Sequence, residues 1–338
     1  MEPGTCNLKA SYSGNIDFSH FPFPKVIVPM VSWEVYVKCV AMAIIILTAV
    51  VGNLFIIVIV SSSKAMRTTT NMYIINLAVA DLIIACFPTW IFLVKDVNKM
   101  WATGGFFCKF NAFIQIQAMC ALSFTMVAIA GDRFFAVMYP LKARVTNSKV
   151  KYVLVIVWTT AIAVAVPLFV YNKYSERQWA NHLEKFCDSV WPMFVLPNGK
   201  CDFGETSQMA YYIVVLAALN WFPMAAMTVS YAIIIYRLQW GRDASSFGHN
   251  APVVQRRSTK KVVKLFFVLL IAFIVCTVPF QVTSLYSMIK DPVTVLPGWF
   301  QSVYYAAISL MYAHSCVNPL VYGLMSQSFR SGFRHLLT

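Results

Sequence analysis

Asp81 is the residue in this chain most in need of a partner. It is the only charge within Tyr73–Val94, a mostly apolar stretch long enough to cross a bilayer. A carboxylate at membrane depth costs about 3 kcal/mol or more unless something polar or cationic meets it, so such residues are functional candidates by default. Two other apolar runs carry groups of matching character. One ends in Gly131-Asp132-Arg133-Phe134, an adjacent acid–base pair. The other contains His314-Ser315 and Asn318-Pro319-Leu320-Val321-Tyr322, which supply imidazole, hydroxyl and amide groups. Polar groups at matching depths in three different spans suggest a buried polar switch inside a helical bundle. They do not suit catalysis. An intramembrane enzyme needs a paired nucleophile and base or a metal cluster, and His314 alone makes neither, so no enzyme is expected.

The elements that hold these groups follow from composition. The chain has 338 residues, is 59% hydrophobic and only 12% charged, against roughly 25% charged in soluble domains. Seven segments reach spanning length: Trp33–Val60, Met72–Val94, Phe106–Met138, Val153–Tyr171, Met209–Tyr236, Leu265–Ile289 and Phe300–Met325. About 20 apolar residues suffice for one crossing. In lipid, backbone groups must be satisfied within the segment, so these spans are helices. Long apolar runs without ten-residue alternation exclude a β-barrel. The expected fold is all-α: a seven-transmembrane helix bundle over 33–325, an extracellular segment over 1–32 and a short amphipathic cytoplasmic helix over 326–338. In that last piece Phe329, Phe333, Leu336 and Leu337 fall at helical spacing beside Arg330 and Arg334. The pattern suits a helix lying on the inner leaflet, with membrane lipids as partners.

Charge sets the orientation. Seven spans put the termini on opposite sides. The segments on the C-terminal side carry Lys64 and Arg67, then Arg133, Lys142, Arg144, Lys149 and Lys151. They continue with Arg237, Arg242, Arg256, Arg257, Lys260, Lys261, Lys264, Arg330 and Arg334, against only Asp132 and Asp243. The formal net charge of +14 therefore lies on that side. The positive-inside rule makes it cytoplasmic and the N-terminus extracellular, as in a multi-pass plasma-membrane protein. The basic balance reflects topology, with attraction to anionic lipid or to an acidic partner surface as the two further readings, and does not indicate nucleic-acid binding. Residues 1–32 show no apolar core with a cleavage site, so the first span is expected to act as its own insertion signal.

The order of motifs resembles the rhodopsin-like family of G-protein-coupled receptors across all seven spans. The residues are Gly52-Asn53, Leu77-Ala78-Val79-Ala80-Asp81, Asp132-Arg133-Phe134, Trp158, Pro223 and Tyr231, Cys276 and Pro279, and Asn318-Pro319-x-x-Tyr322. The resemblance implies an extracellular ligand, a heterotrimeric G protein and arrestin as partners. It implies no cofactor beyond an allosteric sodium ion near Asp81, with Asn53, Ser315 and Asn318 around it. Two departures bear on that pocket: Leu122 stands where the family has serine, with Ser123 one step on, and His314 stands where it has asparagine. The alternative is a polar hinge without sodium, in which protonated His314 pairs with Asp81. Asp132, Arg133, Tyr231, Phe273, Pro279 and Tyr322 would carry activation. Arg133, Tyr139, Pro140, Leu141 and Lys260 would form the G-protein face, with Leu141 inserting into the partner. Thr259 replaces the acid that clasps the Arg in many relatives, so basal activity is expected. Thr277 replaces the family's toggle tryptophan.

The family's first extracellular bridge would start at Cys108. Cys187 and Cys201 both stand in the facing loop. Cys187-Asp188-Ser189-Val190-Trp191-Pro192 resembles a neuropeptide-receptor pattern and favours Cys187, leaving Cys201 to pair with Cys6 or stay free. Tyr312 replaces the opsin lysine and Gln115 the aminergic aspartate, so both ligand classes are discounted. Gln115 instead resembles neuropeptide Y, neuropeptide FF and orexin receptors. A peptide, amidated in one reading, would meet Gln115, Asp96, Trp191, Glu205, Gln281 and Tyr304. The alternatives are a lipid or small-molecule ligand on the same fold, or a secondary transporter, whose inverted repeats and broken helices are not visible here.

Overall fold

The structure is a computed structural model. It describes residues 18–23, 31–139, 147–195, 201–202, 204–240, 253–289 and 297–337. Ten α-helices dominate the described residues: α1 (Ser32–Ser62), α2 (Thr69–Cys86), α3 (Pro88–Asn98), α4 (Gly104–Met138), α5 (Asn147–Tyr171), α6 (Glu205–Leu216), α7 (Phe222–Trp240), α8 (Val253–Ile289), α9 (Gly298–Met325) and α10 (Gln327–Leu337). They make the seven expected spans, with α2–α3 and α6–α7 each forming one interrupted span, followed by the expected eighth helix. Among the described residues five of these spans are long and apolar enough to cross a membrane on length and composition alone. The fifth span is divided by a π turn, Ala217–Trp221. The seventh is diluted by His314, Ser315 and Asn318.

Polarity runs opposite to that of a soluble domain. Ile44, Leu47, Val51, Ile156, Val275 and Leu324 are exposed, while Asn53, Asp81, Thr125, His314, Ser315 and Asn318 are buried. That arrangement suits lipid outside and a hydrogen-bonded interior.

Prolines shape the spans. Each removes one backbone donor and frees the carbonyl four residues earlier. At Pro88, the first residue of α3, the freed Ile84 carbonyl accepts from the Thr89 hydroxyl at 2.8 Å. The second span is therefore broken at Phe87, where the sequence pattern predicts one continuous helix. The π turn precedes Pro223 and gives the chain a wider turn there. Pro279 and Pro319 lie inside α8 and α9. Gly52 of α1 faces the Pro319 ring so closely that an added Cβ would sit 2.6 Å from it.

Among the described residues four short strands accompany the helices, all outside the spans. β1 (Asn172–Gln178) and β2 (Leu183–Ser189) form an antiparallel hairpin, and β3 (Phe194–Val195) pairs with β4 (Cys201–Asp202). The Cys108–Cys187 disulfide ties β2 to the start of α4, and the Trp101 amide donates to the Lys185 carbonyl at 2.9 Å. The expected Cys187 bridge is the one present. Cys6 and the side chain of Cys201 lie outside the described residues.

Candidate functional site

The polar interior is built outward from Pro319. Its missing N–H frees the Ser315 carbonyl, and Asn53 Nδ2 donates to that oxygen at 2.9 Å and to the Ala49 carbonyl at 2.8 Å. Asn318 Nδ2 donates to Asp81 Oδ2 at 2.6 Å. His314 Nδ1 stands 3.9 Å from Asp81 Oδ1, and Ser315, whose carbonyl Asn53 takes, is buried in the same cluster with its hydroxyl open. The structure thus brings together all five residues expected at the switch: Asn53, Asp81, His314, Ser315 and Asn318. Asp81 Oδ1, Asn53 Oδ1, His314 Nε2 and the Tyr322 hydroxyl are buried without a hydrogen-bond partner. Open hard oxygens around one carboxylate can take a small cation, or the imidazole can be the partner. Among the described residues no group of His, Cys, Asp or Glu is placed to hold a multiply liganded metal.

A second polar clamp was hidden in the sequence. Asn76 on α2 donates to the Thr125 hydroxyl of α4 at 2.7 Å and accepts from Trp158 Nε1 of α5 at 2.8 Å. Trp158 stands out among the family-like motifs. Asn76 and Thr125 carry no comparable signal of their own. The usable clue was that Asn76 lies five residues before Asp81, within the same apolar run.

At the cytoplasmic end of α4, Arg133 pairs with Asp132 at 2.5 Å and also donates to the Thr70 hydroxyl of α2. The adjacent pair is thus joined by Thr70, which belongs to none of the family-like motifs. Tyr231 and Tyr322 are both buried, and the Tyr322 ring stacks on Phe329 of α10 at 5.4 Å. Pro140 and Leu141 lie outside the described residues, as does the side chain of Thr259.

Toward the other end, α4, α5, α6, the π turn, α8 and α9 enclose a cavity of about 310 Å3. Gln115, Gln281 and Tyr304 line it, with Thr277, Phe280, Tyr212 and Met311. Gln281 Oε1 accepts from Trp221 Nε1 at 3.1 Å, and its buried Nε2 has no partner. Thr277, in the tryptophan's place, donates to the Phe273 carbonyl at 2.7 Å. One turn deeper, Phe273 meets His314 edge-on with centroids 5.5 Å apart. The cavity thus connects through packed side chains to Asp81.

Three other sequence candidates lie away from this lining. Asp96 forms ion pairs with Lys38 at 2.8 Å and Lys99 at 2.9 Å, tying α3 to α1. Trp191 is buried between the rings of Tyr171 (4.6 Å) and Tyr211 (5.1 Å). Glu205 is exposed at the start of α6. The loop outside α6 is ordered by Asp202, which accepts from the Gly204 amide at 2.9 Å and the Thr206 amide at 3.3 Å. The Thr206 side chain and these amides hold its carboxyl below the usual range.

Residues 52–322 match the 7 transmembrane receptor (rhodopsin family) profile. The chain is 30% identical over 304 residues to the substance-P receptor of Rattus norvegicus, an alignment covering 90% of this chain and 71% of that one. It is 31% identical over 306 residues to the substance-K receptor of Homo sapiens, covering 90% and 73%. It is 30% identical over 305 residues to the neuromedin-K receptor of Mus musculus, covering 90% and 64%.

Proposed function

The chain belongs to the rhodopsin family of seven-transmembrane receptors, and from that premise we propose that it binds an extracellular peptide and passes the signal to a heterotrimeric G protein. It is a multi-pass membrane receptor, not an enzyme. Relatives named as receptors for substance P, substance K and neuromedin K support a neuropeptide ligand. The observation that carries the site is the cavity in which Gln115, Gln281 and Tyr304 converge, with a buried Gln281 amide left open toward a ligand acceptor. A peptide's terminal amide or backbone satisfies such groups. Leaving a buried donor unsatisfied costs about 1–3 kcal/mol, which sets the scale of its selectivity. Asp96, Trp191 and Glu205 then act by shaping the extracellular end.

Ligand at this cavity bears on Thr277 and Phe280, and through Phe273 on His314 and the Asp81 cluster. A ligand that fits better when α8 swings outward shifts the population to that state. Arg133 then leaves Asp132 and Thr70, and Arg133, Tyr139 and Lys260 with Pro140 and Leu141 meet the G protein. Arrestin would use the same opened face. Asp81, Asn53 and Ser315 would hold a sodium ion in the resting state through the oxygens that remain open, with His314 the competing partner. The positive face is cytoplasmic and the N-terminus extracellular.

The test is a calcium assay in cells expressing the chain with a promiscuous G protein, run against a library of amidated neuropeptides. The expected result is a peptide whose potency falls with Gln115→Ala and Gln281→Ala, and whose response vanishes with Arg133→Ala at equal surface expression. Silence to every peptide, with surface expression confirmed, would redirect the ligand to a lipid or other small molecule.

A further inference from the structure

Tyr304 lines the cavity, and Tyr305, next on α9, forms part of a cage around one ammonium. Lys38 of α1 places its Nζ 2.8 Å from Asp96 Oδ2 of α3 and 2.9 Å from Glu34 Oε1, one turn earlier on its own helix. The same Nζ lies 4.2 Å from the centre of the Tyr305 ring. Phe92 of α3 stacks on that ring at 5.4 Å and holds it in place. The Lys38 and Asp96 side chains are 13% and 18% exposed, so the pair is largely withdrawn from solvent without being sealed. Asp96 Oδ1 meets a second cation, Lys99, at 2.9 Å, but that side chain is 44% exposed and follows three residues later on the same helix.

Two carboxylates and an aromatic face are what recognition of an ammonium or guanidinium requires. The receptor fills them itself, from a helix that contributes nothing to the cavity lining. Among the described residues that lining holds no charged side chain, so a cation on a ligand has no partner there. We propose that Asp96, Glu34 and Tyr305 form a subsite for one basic side chain of the ligand, and that Lys38 occupies it until the ligand arrives. Displacement exchanges one cation for another and leaves neither carboxylate bare. Partly exposed ion pairs contribute little to stability, so a ligand that gains binding energy in the cavity can bear the cost of the exchange. The inference rests on the peptide reading above, and adds that the peptide carries Arg or Lys outside the part that enters the cavity.

The test uses n-butylammonium, the Lys side chain as a free ion, and the full chain purified in neutral detergent at constant ionic strength. Lys38→Ala empties the cage and leaves Asp96, Glu34 and Tyr305 in place. The expected result is a melting temperature of Lys38→Ala that rises with n-butylammonium and with n-propylguanidinium, the arginine counterpart. n-Butanol, of the same chain length without charge, should give no rise. The unsubstituted chain, its cage already filled, should not respond at the same concentrations. Within the Lys38→Ala background, Asp96→Asn should weaken the apparent affinity about tenfold or more, as loss of a charged hydrogen bond does. Tyr305→Leu should weaken it about threefold or more. Lys99→Ala removes the exposed cation from the same carboxylate and should create no response. Saturation-transfer NMR of the same ion against the chain in nanodiscs reads the binding without a melting transition. No response in Lys38→Ala by either measurement, an equal response to n-butanol or in the unsubstituted chain, or a response surviving Asp96→Asn would overturn the proposal. The probe is not a peptide, so failure here would leave the peptide reading standing, and a silent peptide screen would leave this result unaltered.

Discussion

Pro319 gives up one backbone donor, and Asn53 on another helix takes the carbonyl left over. That pairing converts a helix defect into a link between α1 and α9. Asn53→Ala would leave the Ser315 carbonyl buried without a partner, at a cost of about 1–3 kcal/mol. The expected outcome is a clear fall in melting temperature in detergent; an unchanged melting curve would show that the link carries no stability. Asp202 makes a different kind of contribution. Its folded pKa lies below its unfolded one, because Thr206 and the loop amides stabilise the carboxylate. The stabilisation is therefore fully present above about pH 4, the ordinary value for Asp. It is lost as pH falls through the lower folded value. Hydrogen exchange at Gly204 and Thr206 should accelerate across that acid window, relative to the intrinsic rate, and Asp202→Asn should abolish the transition.

Helices here are punctuated, and each interruption has a local remedy. Thr89 caps the carbonyl freed at Pro88, a π turn absorbs Pro223, and Gly52 admits the Pro319 ring. Gly52→Val would force α1 away from α9. Overpacking of this kind costs about 1–3 kcal/mol, so surface expression should drop, with Gly131→Ala as a tolerated comparison because a Cβ there meets nothing within 4 Å. The hairpin β1–β2 depends on its bridge to α4, which spans a sequence separation of 79 residues. Loss of a native disulfide typically costs about 2–5 kcal/mol. Cys108→Ala should therefore lower both thermal stability and peptide response, as measured by melting and calcium assays. A response retained at full potency would show that the hairpin does not shape the cavity mouth.

Across the whole molecule the cavity is joined to the polar switch by packed side chains, and at the cytoplasmic end one Arg ties α4 to α2. Arg133 is held to Asp132 on its own helix and to Thr70 on α2. The sequence offers Thr259 where an acid would clasp it from α8. A resting state held by two such contacts should leak. Agonist-free nucleotide exchange is expected above that of empty membranes. Thr70→Ala should raise it further, by a factor of about 5–30 if the bond is worth 1–2 kcal/mol. Basal exchange at the level of empty membranes would mean that another restraint holds α8.

Much of this was legible without coordinates. Seven spans, their helical character and the basic face follow from hydropathy and charge, because a bilayer forbids open backbone and penalises isolated charge. Asp81 declared itself for the same reason, and with it the residues of the family-like motifs. The rest needed three dimensions. The ion pairs of Asp96 with Lys38 and Lys99, and the two tyrosine rings against Trp191, could not be read from the sequence. The hairpin was concealed in a mixed-charge loop, where strand alternation competes with no membrane constraint. Residue types and depth are one-dimensional properties, so the sequence determines which groups are buried at which level of the bilayer. Which partner each group meets depends on helix rotation, on breaks at proline and on close approach at glycine. Those are decided only when the helices pack, since each contact there joins residues tens to hundreds of positions apart.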